Sequence, residues 1–92
     1  MERKTYYEDD NFKVILEKLE GQMYIHVGIF QITKAVLKDI KRVWAEAVVE
    51  IWLDGYENLF TYTKDNRIVK LIGGAKKVGQ HENIEVWQWD LS

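Results

Sequence analysis

The chain has 92 residues, of which 47% are hydrophobic, and a formal net charge of -2 at pH 7. This length predicts a single domain, residues 1–92, and the near-balanced charge gives no sign of a nucleic-acid or anionic membrane partner. The chain lacks cysteine, which excludes disulfides, a thiol nucleophile and a thiolate metal site and is typical of a reducing compartment. The charged N-terminus MERKTYYEDD lacks an apolar run, so we expect no signal peptide. No stretch approaches the roughly 20 apolar residues of a membrane span.

The first elements are a polar segment and a hairpin. Residues 1–11 are polar, and we expect them to fray unless the Tyr6-Tyr7 pair docks on the rest of the domain. Residues 12–20 (FKVILEKLE) and 23–30 (MYIHVGIF) are rich in β-branched and apolar residues, and a Gly-Gln pair separates them. This pattern predicts two antiparallel strands joined by a tight turn.

A long amphipathic helix follows the hairpin. Thr33 is its expected N-cap and Gly55 its expected stop, so the helix is about 30 Å long and can cross a small sheet. We expect Trp44 and Trp52, eight residues apart, to lie in the core. The apolar residues recur at helical spacing and predict one buried face: Val36, Leu37, Ile40, Val43, Trp44, Ala47, Val48, Ile51 and Trp52.

Shorter elements complete the chain. Asp65 is the expected cap of a short helix, and Trp87 and Trp89 share one face of the last strand. We interpret these two tryptophans as core, with an exposed partner-binding patch as the open alternative. The predicted order is β-β-α-β-α-β-β, an α+β fold in which the long helix crosses the sheet after the hairpin. The last elements are a strand at 57–63, the short helix between Asp65 and Gly73-Gly74, and strands at 75–79 and 83–91.

This order, with NLFTYTKDNRIVKLIGGAKKVG at its centre, resembles the GNAT acyl-CoA N-acyltransferase fold over residues 12–91. Within that fold, the chain most resembles small GNAT-like proteins of tailed phages, some of which are virion or head-assembly components. The resemblance implies a loop of pattern Gln/Arg-x-x-Gly-x-Gly/Ala that holds the cofactor diphosphate at a helix N-terminus. Here Gln31 matches the first position, whereas Lys34 and Val36 replace small residues. The implied cofactor-binding residues are Gln31, Thr33 and Lys34, with plain helix capping by Thr33 as the competing interpretation.

Catalytic and metal-binding residues are harder to place. The family's general acid, a tyrosine before a Gly-Phe pair, aligns with Lys70 or Val69, and neither is an obvious replacement. Glu17, Glu20 and His26 are candidate bases on or near the hairpin, although His26 also fits a hydrogen-bonded strand histidine. His26 and His81 lack metal-ligand spacing. We therefore assign no catalytic residue and no metal site.

Three functions remain open at this point. The favoured one is a non-catalytic binding or assembly protein on a degenerate GNAT-like scaffold, without a cofactor. It would act with a protein partner or as a homo-oligomer, in the cytoplasm of a host cell or in a virion. The second is a minimal acetyl-CoA-dependent N-acyltransferase. The third is an unrelated small α+β inhibitor or adaptor. The order of elements resembles the GNAT fold, but the cofactor-loop glycines and the general acid are missing. This combination favours the non-catalytic binding or assembly protein.

Overall fold

A computed structural model describes residues 2–92. The predicted strands and helices from residue 12 onward are confirmed to within about three residues at each end. In chain order the elements are β1 (Glu2–Glu8), β2 (Phe12–Leu19), β3 (Gln22–Ile29), α1 (Lys34–Leu53), β4 (Asn58–Thr63), α2 (Arg67–Ile72), β5 (Lys76–His81) and β6 (Ile84–Asp90).

The strands form one six-stranded sheet in the order β1-β2-β3-β4-β6-β5. Neighbouring strands are antiparallel except β3 and β4, which are parallel and are joined by the long helix α1. This parallel pair is short: its register covers only Met23↔Leu59 and Tyr24↔Phe60, so the two strands diverge beyond those residues. The divergence opens a crevice in the middle of the sheet.

The predicted β-β-α-β-α-β-β order and its GNAT-like assignment are wrong. The structure has an additional first strand, which gives β-β-β-α-β-α-β-β in a strand-rich, mostly antiparallel sheet. The segment 1–11 was expected to fray, but its residues 2–8 are strand β1. What remains of the prediction is the α+β class with a long helix crossing the sheet.

Backbone pairing and charge explain why a polar segment becomes a strand. β1 pairs antiparallel with β2, and backbone hydrogen bonds of this kind do not depend on apolar side chains. Opposite charges face each other across the pair at Arg3↔Glu17 and Glu8↔Lys13. Tyr7 stacks on Phe12 with ring centroids 5.0 Å apart and so ties the strand to the core.

The ends of α1 follow the sequence signals. The Thr33 hydroxyl oxygen accepts a hydrogen bond from the Val36 backbone N–H at 3.2 Å, which confirms the N-cap. Gly55 follows the C-cap residue Asp54 with φ +97°, a backbone conformation that glycine adopts without strain. The helix therefore begins and ends where its capping residues dictate.

The core lies between α1 and one face of the sheet. Trp44 of α1 meets Trp89 of β6 with ring centroids 4.7 Å apart, and both rings are buried, which confirms them as core residues. Trp87 is half-buried against the same core. Val69 of α2 belongs to this cluster too, so α2 packs on the same side of the sheet as α1. No described helix covers the opposite, open face.

Candidate functional site

A polar cluster lies on the open face of the sheet, beside the crevice between β3 and β4. At its centre is Glu17 of β2, which is only 1% exposed. The Tyr62 hydroxyl donates a 3.0 Å hydrogen bond to Glu17 Oε1, and His26 Nε2 lies 3.2 Å from the same oxygen. The Arg3 guanidinium of β1 is 4.0 Å from Glu17 Oε2. Strand pairing brings these four residues together, one from each of β1, β2, β3 and β4.

The ionisation of this cluster follows from burial and hydrogen bonding. Burial disfavours the Glu17 carboxylate, but hydrogen bonds from His26 and Tyr62 and the nearby positive charge outweigh it and hold the pKa of Glu17 below its usual value. Burial lowers the pKa of His26, and this effect exceeds the opposing effect of Glu17. Burial and the Glu17 hydrogen bond raise the pKa of Tyr62. At neutral pH the cluster is one carboxylate held by two neutral donors.

The cluster is better suited to structure than to proton transfer. A neutral His26 that donates Nε2–H to Glu17 has Nδ1 left as a proton acceptor, the arrangement of a positioned base. However, the cavity that His26 lines in the crevice has a volume of about 90 Å³. That space holds about three water molecules and is far below the 300–1,000 Å³ of typical ligand sites. Within residues 2–92, no buried side-chain polar atom lacks a hydrogen-bond partner.

The residues implied for cofactor binding form one exposed segment between β3 and α1. Gln31, Thr33 and Lys34 are all solvent-exposed. Thr33 uses its hydroxyl to cap the Val36 N–H, so the amide is already satisfied at the helix start. Val36 itself is buried in the core. The helix N-terminus is therefore already capped by a side chain. In addition, the residues of this segment are not glycines, and their β-carbons would keep the backbone away from a diphosphate.

The two positions considered for a general acid are not suited to that role. Lys70 is exposed on α2, whereas Val69 is buried and apolar. The residues that the structure does bring together, Glu17 and His26, were candidate bases in the sequence, and Glu20 lies apart from them in the β2–β3 turn. Tyr62 was missed as their partner because it is 45 residues from Glu17 in sequence. Only the adjacency of β3 and β4 places it there.

An apolar groove of about 600 Å³ lies beyond the crevice. Its wall combines the end of β3, the first turn of α1 and the outer side of α2, with Asp65 and Arg67 at α2. The Arg67 guanidinium forms a 2.6 Å ion pair with Asp65, so these two charges largely satisfy each other. The apolar lining residues are Val27, Ile29, Phe30, Ile32, Leu37, Ile68 and Leu71.

A second apolar stripe runs along the solvent side of α1. We call it the outer stripe and define it as Ala45, Val49, Trp52 and Leu53. Val49 and Trp52 are each 54% exposed and Leu53 is 69% exposed. The expectation that Trp52 belongs to the core is therefore wrong. Among the buried residues of α1, Trp44 is the one nearest the outer stripe, and eight more residues rotate the helix by about 80° further in that direction, which turns Trp52 away from the sheet.

The sequence contained a signal for this stripe. Ala45, Val49, Trp52 and Leu53 recur at i, i+4, i+7 and i+8, an apolar pattern beside the buried one. A helix with one buried face needs only one such stripe. The second half of α1 is therefore apolar on two sides, and only one side is covered in the chain.

The sheet edges offer less to a partner. The edge strand β1 presents charged residues, including Glu2, Arg3 and Lys4, and its register shifts between Thr5 and Tyr7. The other edge strand, β5, also has a register shift. Charged and irregular edges resist pairing with further strands.

Comparisons with known proteins give no relative: no protein-family model, curated protein or solved structure matches this chain. Among residues 2–92, the helices are too short or too polar to span a membrane. The same part of the chain contains no group of three or more metal-ligating side chains close enough to hold an ion.

Proposed function

We propose that this protein is a non-catalytic binding protein that takes part in an assembly by docking a protein partner on the outer stripe of α1. The observation that carries the proposal is the exposure of Val49, Trp52 and Leu53, each more than half accessible, on consecutive turns of one helix. Isolated exposed apolar side chains are ordinary, but a contiguous stripe of large ones is typical of an interaction surface.

The composition of the stripe supports the same conclusion. Tryptophan is among the residues most enriched where binding energy concentrates, because its ring buries a large area with few lost rotamers. Polar and charged residues flank the stripe, among them Lys41, Glu46 and Glu50. An apolar centre with a charged rim is the usual anatomy of a protein interface. A partner that offers a complementary groove or helix could therefore bury the outer stripe, as in other complexes formed by amphipathic helices.

The polar cluster supports a non-catalytic role. Glu17, His26 and Tyr62 satisfy one another, and the cavity beside them holds only about three waters. Such a network anchors β2, β3 and β4 to one another at the point where the parallel pair diverges. A cytoplasmic location forms part of the proposal, supported by the lack of cysteine, which is typical of a reducing compartment.

Acetyl-CoA-dependent N-acyl transfer is the second candidate function. The observation in its favour is the apolar groove of about 600 Å³ next to the crevice that His26 lines, because that volume falls in the range of small-molecule sites. Against it stand the capped amide of Val36 and the side chains of Thr33 and Lys34, which occupy the helix start.

Site-specific photocrosslinking in the native cell tests the proposed function. A benzophenone amino acid replaces Val49 in the outer stripe, and the matched control places it at the exposed Lys70 of α2. We expect discrete protein adducts from position 49 that disappear when Trp52→Glu is added. Equal adducts from positions 49 and 70, or adducts that survive Trp52→Glu, would contradict a partner docked on this stripe.

A further inference from the structure

The outer stripe has the side-chain pattern of a helix that pairs with a copy of itself. We propose that the outer stripe of one chain packs antiparallel against that of a second copy, about a twofold axis between Val48 and Val49. This inference rests on the proposed function, and it names the partner as this chain. A closed twofold interface uses the same surface on both copies, so one stripe suffices.

Side-chain size fits this arrangement. Trp52 and Ala45 lie seven residues apart, which is two helical turns or about 10 Å along the axis. A twofold axis halfway between them places the Trp52 ring of each copy over the small Ala45 of the other. Large side chains over small ones let two helices approach closely and fill the contact. Val49 lies next to the axis in both copies.

Charge selects the antiparallel orientation. The exposed Lys38 and Lys41 of the first half of α1 lie on the side of the outer stripe, because they precede Ala45 by seven and four residues. α1 has no acidic residue in its first turn and no basic residue in its last turn, so its own side chains do not offset the helix dipole. An antiparallel copy brings the cations of one helix to the C-terminal end of the other, twice per dimer. A parallel copy would place like charges side by side.

The size of the contact sets its strength. Two helix halves bury less than the roughly 800 Å² per partner of a standard interface. We therefore expect a dissociation constant of about 10–100 μM, since a small apolar contact barely exceeds the cost of association. The edge strands β1 and β5 carry charged residues, which disfavour a dimer formed by strand pairing instead of by α1.

Cysteine crosslinking tests the orientation, because the chain has no cysteine of its own. A disulfide requires Cα atoms within about 7 Å. In the antiparallel dimer Val49→Cys crosslinks with itself. Ala45→Cys and Leu53→Cys each stay uncrosslinked alone but crosslink to each other when the two variants are mixed. Gln80→Cys on β5 is the control for random collision.

Sedimentation of the purified full chain tests the dimer itself. We expect a concentration-dependent monomer–dimer equilibrium that Trp52→Glu weakens at least tenfold and Lys70→Glu leaves unchanged. A wild-type chain that stays monomeric at about 0.5 mM, or self-crosslinking of Ala45→Cys as strong as the mixture, would overturn the inference. A monomer that still gives a foreign adduct from position 49 in the cell would overturn the self-pairing alone and keep the proposed function.

Discussion

The buried carboxylate Glu17 is expected to stabilise the fold through its hydrogen bonds, and the substitution Glu17→Ala tests this. It removes the acceptor of the Tyr62 hydroxyl and of His26 Nε2 in one step. It also leaves the Arg3 charge without its cross-strand partner. If the cluster made no contribution to folding, the substitution would leave the free energy of unfolding unchanged. If it joins β2, β3 and β4, the substitution should lower that free energy.

The magnitude follows from the number and exposure of the hydrogen bonds. A hydrogen bond to a charged group contributes about 1.5–3 kcal/mol. Tyr62 is 38% exposed, so water partly replaces the lost acceptor and the lower end of that range applies. Two such bonds sum to about 3 kcal/mol of unfolding free energy. For a domain of this size that lowers Tm by about 12–24 °C. Glu17→Gln keeps one oxygen acceptor and should lose about half as much.

Chemical denaturation and thermal melting at low micromolar concentration, where a weak dimer is dissociated, measure the effect. Glu57→Ala is the matched control, an exposed glutamate whose loss should change stability by less than about 0.5 kcal/mol. Because the pKa of Glu17 is depressed in the folded state, its contribution is present above about pH 4.3 and is lost as pH falls through the folded value. A Glu17→Ala variant that melts within about 3 °C of the Glu57→Ala control at pH 7 would show that Glu17 does not stabilise the fold through these hydrogen bonds.

Other predictions concern the tryptophans, the histidine and the cofactor. Trp44→Ala should cost about 3–5 kcal/mol of stability and Trp52→Ala less than about 1 kcal/mol, and equal losses in denaturant titrations would contradict the exposed position of Trp52. Burial depresses the pKa of His26, so stability should fall as pH drops below about 6.5; His26→Gln should flatten that profile, and His81→Gln, as control, should not. Calorimetry with 1 mM acetyl-CoA should show no binding, and micromolar affinity lost in Lys34→Glu would favour the acyltransferase alternative.

The local structure of this protein could be predicted from its amino-acid sequence alone. Thr33 caps α1 through a hydrogen bond to a residue three positions away, and Gly55 ends it through its own backbone freedom. Such signals are short-range, so they can be read without knowledge of the rest of the chain. The amphipathic character of α1 could be predicted for the same reason, because apolar residues recur with a 3.6-residue period over consecutive turns.

Tertiary structure decided the first strand, the exposed tryptophan and the polar cluster. β1 is stabilised by backbone bonds and opposite charges on β2, which a search for apolar periodicity does not detect. Trp52 faces solvent because the sheet lies under the other side of α1, and periodicity does not say which of two apolar stripes is covered. Tyr62 reaches Glu17 only because the crossover of α1 sets β4 beside β3. Contacts between residues far apart in sequence depend on the packing of whole elements, so they follow from the fold and not from any local pattern.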